Sequence, residues 1–211
     1  MRIALKENLR KCNFEVFTEL GITEELILGS IQHCYKTLDT IDITLLQNGT
    51  PTLSNLVELA NLSSIVGNLL GEGCARNSSG KFTRNLPHTY PDLVCPNGIN
   101  EGVEIKMALE KNSPKGHLAK AGFYLTYRYV LTDKDGTYIK GKENRQDTVT
   151  IWEVRCGYLN EDDFSLSNTE GDSGKTAVIR SESLNNMRLL YFDESCIPYR
   201  HTSSKPYKGF N

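Results

Sequence analysis

Residues 91–110, PDLVCPNGINEGVEIKMALE, decide how this chain is read. Two apolar runs, at 93–95 and 103–109, are separated by Pro96, Asn97, Gly98 and Gly102, the residues that punctuate short strands. Side chains two apart on a strand point to the same face, so Glu104 and Lys106 are neighbours on one side. Val103, Ile105 and Met107 then face the other way, towards a core. Two charges on so apolar a strand form either an exposed ion pair on an edge strand, worth roughly 0–1 kcal/mol, or part of a reaction centre.

Working outward, an extended period continues through 122–132 (GFYLTYRYVLT), 136–141 (GTYIKG) and 147–159 (DTVTIWEVRCGYL), with 80–85 (GKFTRN) before them. Asp135-Gly136 reads as a hairpin turn joining the long aromatic strand to 137–141. Further strands are expected at 175–180 and 187–192, on either side of an acidic, Ser- and Gly-rich loop, with a polar tail from about Pro198. Upstream the period is helical. Apolar residues at three- and four-residue spacing from Lys6 to about Leu46 read as helices broken at Gly21. After a turn at 47–52, Ser54 can cap a periodic helix ending near Gly71 and Gly73. The expected class is α/β: a mixed β-sheet flanked by helices, with a helical N-terminal region. One domain is expected over 1–211, divided into a helical region at 1–50, a catalytic core at 53–157 and C-terminal strands and tail at 158–211.

Composition narrows the functions. The 211 residues are 38% hydrophobic, enough for one domain with a substantial core. No apolar run is long enough for a membrane helix, and the N-terminus lacks the apolar stretch of a secretory signal, so a soluble, cytoplasmic protein is expected. The six cysteines form no CxxC pair and the four histidines no HExxH, which argues against a zinc site. The N-x-S/T triplets at Asn48, Asn61 and Asn77 are then chance matches. A net charge of −2 excludes a protein that coats nucleic acid indiscriminately. The charge is uneven, however. Lys106, Lys111, Lys115, His117, Lys120 and Arg128 crowd one region, and Glu161, Asp162, Asp163, Glu170 and Asp172 another, which suits a partner engaged through one cleft.

Phosphodiester hydrolysis gives the charges on 103–109 a purpose. Pro91-Asp92 opens the first short strand, and eleven residues separate Asp92 from Glu104. Two carboxylates, with water and a substrate phosphate, satisfy the oxygen-rich octahedral shell of Mg²⁺. A nearby ammonium such as that of Lys106 can orient the attacking water and stabilise developing negative charge. The segment 111–120, with Lys111, Lys115, His117 and Lys120 around Pro114 and Gly116, is expected to contact DNA, through phosphates or base edges. Tyr124, Tyr127, Tyr129 and Trp152 are expected to pack in the core. The string at 171–179, GDSGKTAVI, lacks the glycine spacing of a phosphate-binding loop, so no nucleotide cofactor is expected.

Pro91-Asp92, a spacer, then Glu104-Ile105-Lys106 resembles the PD-(D/E)xK nuclease superfamily, most closely its type II restriction endonucleases. The resemblance spans roughly residues 53–157 and rests on the motif residues. It implies a restriction-endonuclease-like fold and cleavage of both strands of a specific DNA sequence, leaving 5′-phosphate and 3′-hydroxyl ends. It assigns Asp92 and Glu104 as metal-binding carboxylates, Lys106 as the catalytic lysine and the Ile105 carbonyl as a further metal ligand. It also implies an acidic residue from the preceding helix, Glu58 or Glu72, of which Glu72 is preferred because it lies near the helix end. Cutting two antiparallel strands with one site per chain implies a homodimer, with the N-terminal helices as candidates for its interface. A repair or junction-resolving nuclease on the same core, or a non-catalytic DNA-binding protein, are the alternatives.

Overall fold

A computed structural model of the chain describes residues 2–96, 102–167, 176–199 and 206–209. The N-terminus begins with three single 3-10 turns, Lys6–Asn8, Lys11–Asn13 and Glu15–Phe17, where α-helix was expected. Phe14, Phe17 and Leu20 are spaced by three, which suits a 3-10 turn as well as an α-helix. The segment also runs along the sheet: Leu9 bridges Tyr191, and the Arg10 N–H donates to Leu190 O at 2.9 Å. Gly21, at φ +90°, takes a left-handed conformation that ends this segment. Helix α1 (Glu24–Gln47) follows, capped by Thr23, whose side chain accepts from the Leu26 N–H.

Ser54 caps no long helix. A single turn, α2 (Leu53–Leu56), is followed by extended Val57 and Glu58 and then by α3 (Leu59–Arg76). The Ser54 hydroxyl instead donates to Asp147 O at 2.7 Å. Helix α3 runs through Gly71 and Gly73, which were expected to end it. Gly73 serves close approach, since a Cβ there would lie 2.7 Å from Ser30 Cα of α1, while one on Gly71 would meet the flexible end of the Arg84 side chain.

The strands are β1 (Thr83–Arg84), β2 (Leu93–Val94), β3 (Val103–Leu109), β4 (Lys115–Gly116), β5 (Gly122–Thr132), β6 (Thr148–Leu159), β7 (Phe164–Ser167), β8 (Thr176–Ile179) and β9 (Arg188–Phe192), with α4 (Ser181–Asn186) before the last. A six-stranded mixed sheet has the order β1-β2-β3-β5-β6-β9, and a three-stranded sheet the order β4-β8-β7. In the large sheet β3 and β5 run parallel and the remaining pairs antiparallel. The Asp135-Gly136 turn forms, with Gly136 donating to Asp133 O, but 137–141 is not a strand. The partner of β5 is β6, paired from Gly122↔Leu159 to Thr132↔Thr148.

Helices α1 and α3 cover one face of the large sheet, burying Ile105, Leu125, Tyr127, Tyr129, Val154 and Cys156 against Leu26, Ile31, Val66 and Leu70. Tyr127 pairs its hydroxyl with Ser30 Oγ at 3.0 Å and Cys74 Sγ at 3.3 Å, so its polar end is satisfied. On the opposite face Trp152, fully buried, packs with Val130, Leu189 and Phe192 under Tyr199 and Tyr207. Arg128, grouped by sequence with the basic patch, is instead 2% exposed here. Its Nε donates to Glu153 Oε2, and its guanidinium lies 4.3 Å over the Trp152 ring. Arg155 donates to the other oxygen of Glu153 at 2.7 Å. Among the described residues no helix is long and apolar enough to cross a membrane.

Candidate active site

Strand β2 meets β3 through the single pair Leu93↔Val103, and side chains extend the junction. The Asp92 N–H donates to Glu104 Oε2 at 3.0 Å, while the Ile105 N–H donates to Asp92 Oδ2 at 2.9 Å. The two carboxylates therefore clasp each other's strands, which fixes both beside the edge of β3. Lys106, two residues after Glu104 and on the same face, donates from Nζ to Glu104 Oε1. Asp92, Glu104 and Lys106 thus converge at one point. Ile105 and Met107 turn the other way, where Cβ atoms on Gly71 and Gly67 of α3 would sit 3.3 Å from Ile105 Cδ1 and 3.1 Å from Met107 Cγ.

Electrostatics mark this point as strained for anions. Burial pushes the Glu104 carboxyl above its usual range; the Lys106 ammonium pulls it back, and the Asp92 charge opposes that pull. Glu104 is 9% exposed, whereas the side chains of the pair keep 11% and 20% of their surface for Glu104 and Lys106. The cluster is thus shielded from bulk water while its lysine remains reachable.

Strand β4 lies over it. A Cβ on Gly116 would fall 2.9 Å from Lys106 Cε, which places the β4 backbone directly against the lysine side chain. Lys115 and His117 on either side are exposed, as is Lys111 beyond the end of β3. Lys120 is more constrained, its Nζ 4.5 Å over the Tyr90 ring. Tyr90 donates to Ala121 O at 2.9 Å, and Tyr124, opposite Glu104 in the parallel register, donates to Lys120 O at 2.8 Å. Tyr90, Gly116 and Tyr124 were not singled out for this site by sequence. Tyr90 stands immediately before the Pro-Asp pair, but the parallel β3–β5 register that brings Tyr124 opposite Glu104 leaves no local signal.

The helix acid is not brought in. Glu72 accepts from Arg76 Nε at 2.7 Å, one turn along its own helix, with 41% of its side-chain surface exposed. Glu58 is exposed at the residue before α3. Among the described residues no group of three or more His, Cys, Asp or Glu side chains gathers to hold a metal. The expectation that Glu72 joins Asp92 and Glu104 is corrected accordingly: near the end of α3 its (i, i+4) neighbour is the closer cation. Glu170, Asp172, Lys175 and His201 lie outside the described residues, as does the start of the 171–179 string.

The arrangement offers two acceptor groups and one ammonium at a sheet edge beside exposed cationic side chains. Such a set can bind a hard cation and a phosphate together. Comparison of the chain with protein-family profiles and with curated proteins finds no match.

Proposed function

We propose that this protein is a Mg²⁺-dependent, site-specific endonuclease of double-stranded DNA, working as a type II restriction enzyme on a restriction-endonuclease-like fold. The observation that carries this reading is the mutual clasp of Asp92 and Glu104 with Lys106 bonded to the second carboxylate. A lone ion pair on an edge strand needs no Asp92, and burying two carboxylates together is costly without a cation to share.

The donor set fits Mg²⁺, which commonly takes one or two carboxylates and completes its shell with water and substrate phosphate. Asp92 and Glu104 would hold it. The Ile105 carbonyl is a third candidate, because an extended residue sends its N–H and C=O to the same side and the Ile105 N–H points at Asp92. When bound, the ion would offset charge on the scissile phosphate and acidify a coordinated water.

Lys106 has the remaining work. Its ammonium, free to leave Glu104 once that carboxylate serves the cation, donates to the attacking water and to a non-bridging phosphate oxygen as negative charge builds. Attack at phosphorus breaks the bond to the 3′ oxygen, leaving a 5′-phosphate and a 3′-hydroxyl. Lys111, Lys115, His117 and Lys120 would contact the flanking DNA, through phosphates or base edges. Two copies related by a two-fold axis would cut the two strands of a palindromic target.

The test is cleavage of plasmid DNA by the purified chain with Mg²⁺. Discrete fragments are expected, together with a fall of about a hundredfold or more for Lys106→Ala and Glu104→Gln. Plasmids of many sequences left intact, or a Lys106→Ala variant that cuts as well as the parent, would overturn the reading.

A further inference from the structure

A hollow of about 520 Å³ opens beside the segment that leaves β4, at His117, Leu118 and Ala119. Its apolar walls are Leu118, Leu166 and Phe164; the two leucines are 61% and 60% exposed, while Phe164 is buried as a floor. Its polar groups are His117, Glu161, Asp162 and Arg180. Arg180 is pinned at its base: its backbone N–H donates to Asp163 O at 2.8 Å and its Nε to Asp162 O at 3.0 Å. Its terminal nitrogens have no partner among the described residues, nor do the His117 ring and the Glu161 and Asp162 carboxylates. The hollow therefore holds a set of donors and acceptors not used within the fold, arranged around an apolar floor.

We propose that this hollow reads the base edges of the DNA target, a proposal that rests on the endonuclease reading. Two features select bases over backbone as its occupant. First, carboxylates repel phosphates, so a surface that only gripped backbone would carry none; a carboxylate does serve as acceptor for the cytosine amino group. The Arg180 fork matches guanine O6 and N7, and the leucines match a thymine methyl. A single face thus offers the complementary chemistry for a G·C pair and an apolar contact beside it. Second, the distance is right. Arg180 stands three residues beyond Ala177, the β8 partner of Gly116, and Gly116 lies against Lys106. Three residues at about 3.3 Å each correspond to about three base steps at 3.4 Å. The bases nearest the scissile phosphate would be the ones read.

The experiment selects duplexes from a randomised library by binding to the full-length chain in Ca²⁺, alongside plasmid cleavage by the same preparation in Mg²⁺. The parent is expected to enrich one motif. Arg180→Ala and Asp162→Asn, both at the surface, are expected to relax one base position of that motif by roughly ten- to a hundredfold while melting as the parent does. Unchanged motifs in both variants overturn the proposal. Enrichment of no sequence by the parent overturns it too, and plasmid cleavage then shows separately whether the nuclease reading stands.

Discussion

Replacing Glu153 with glutamine tests the most heavily buried carboxylate among the described residues. Arg128, Glu153 and Arg155 are 2%, 1% and 0% exposed and together carry one net positive charge. Glu153 is the hub: it accepts from Arg128 Nε on one oxygen, and from Arg155 Nε and the Tyr207 hydroxyl on the other. Arg155 is further held by Met187 O at 2.8 Å and Asn185 O at 3.2 Å, so it cannot swing out to water. Glu153→Gln preserves shape but leaves two guanidinia buried with no counter-charge. Breaking a buried pair in this way costs about 3–5 kcal/mol, which for a chain of this size lowers Tm by roughly 6–20 °C. Thermal and urea unfolding followed by circular dichroism measure it. A loss under about 1 kcal/mol would refute the reasoning, because it would mean that solvent already screens these charges. The same group sets an acid signature. Burial alone would raise the Glu153 carboxyl, but the two guanidinia outweigh it and hold the group below its ordinary value of 4.5. Its contribution is therefore complete above that value and is lost as pH falls through the depressed one, a decline that Glu153→Gln should lack.

The close packing of α1 and α3 predicts opposite outcomes for two glycines. Gly73→Ala puts a methyl 2.7 Å from Ser30 Cα, which is backbone and cannot yield, so a loss of about 1–3 kcal/mol is expected in urea unfolding. Gly67→Ala meets only the flexible Met107 side chain at 3.1 Å, and the gain in helix propensity, up to about 1 kcal/mol, should leave it neutral or stabilised. At the candidate active site the raised Glu104 carboxyl must lose its proton to serve a cation. Stabilisation by added Mg²⁺, read as a Tm shift, should therefore grow as pH rises from the ordinary glutamate value of 4.5, and should be absent in Asp92→Asn.

Part of this architecture is legible in the chain because it depends on local periods. The two-residue repeat of a strand is enough to bring Glu104 and Lys106 together and to send Ile105 and Met107 to the core, and both happen. Trp152 and the tyrosines of β5 read correctly as packing residues for the same reason. What depends on pairing between distant segments does not read out. Arg128 looks like a surface charge until the β5–β6 register sets Glu153 opposite it and the Arg128/Tyr129 irregularity brings Trp152 beneath it. Gly73 looks like a helix terminator because its reason for being small lies on α1, not on its own helix. Glu72 was preferred for its nearness to a helix end, yet side-chain direction is settled by the nearest opposite charge, Arg76.

The junction of β2 with β3 has a second effect. Beyond Val103 the outer edge of β3 pairs with no strand among the described residues. Bare strand edges recruit other chains, and proteins commonly guard them with charge. Here the guard is Asp92, whose carboxylate occupies the Ile105 N–H that an incoming strand would need. Neutralising or shortening Asp92 thus does more than remove an acidic group: it uncovers a template for intermolecular β-pairing, and loss of catalysis in such a variant has to be separated from self-association by sizing the protein in solution.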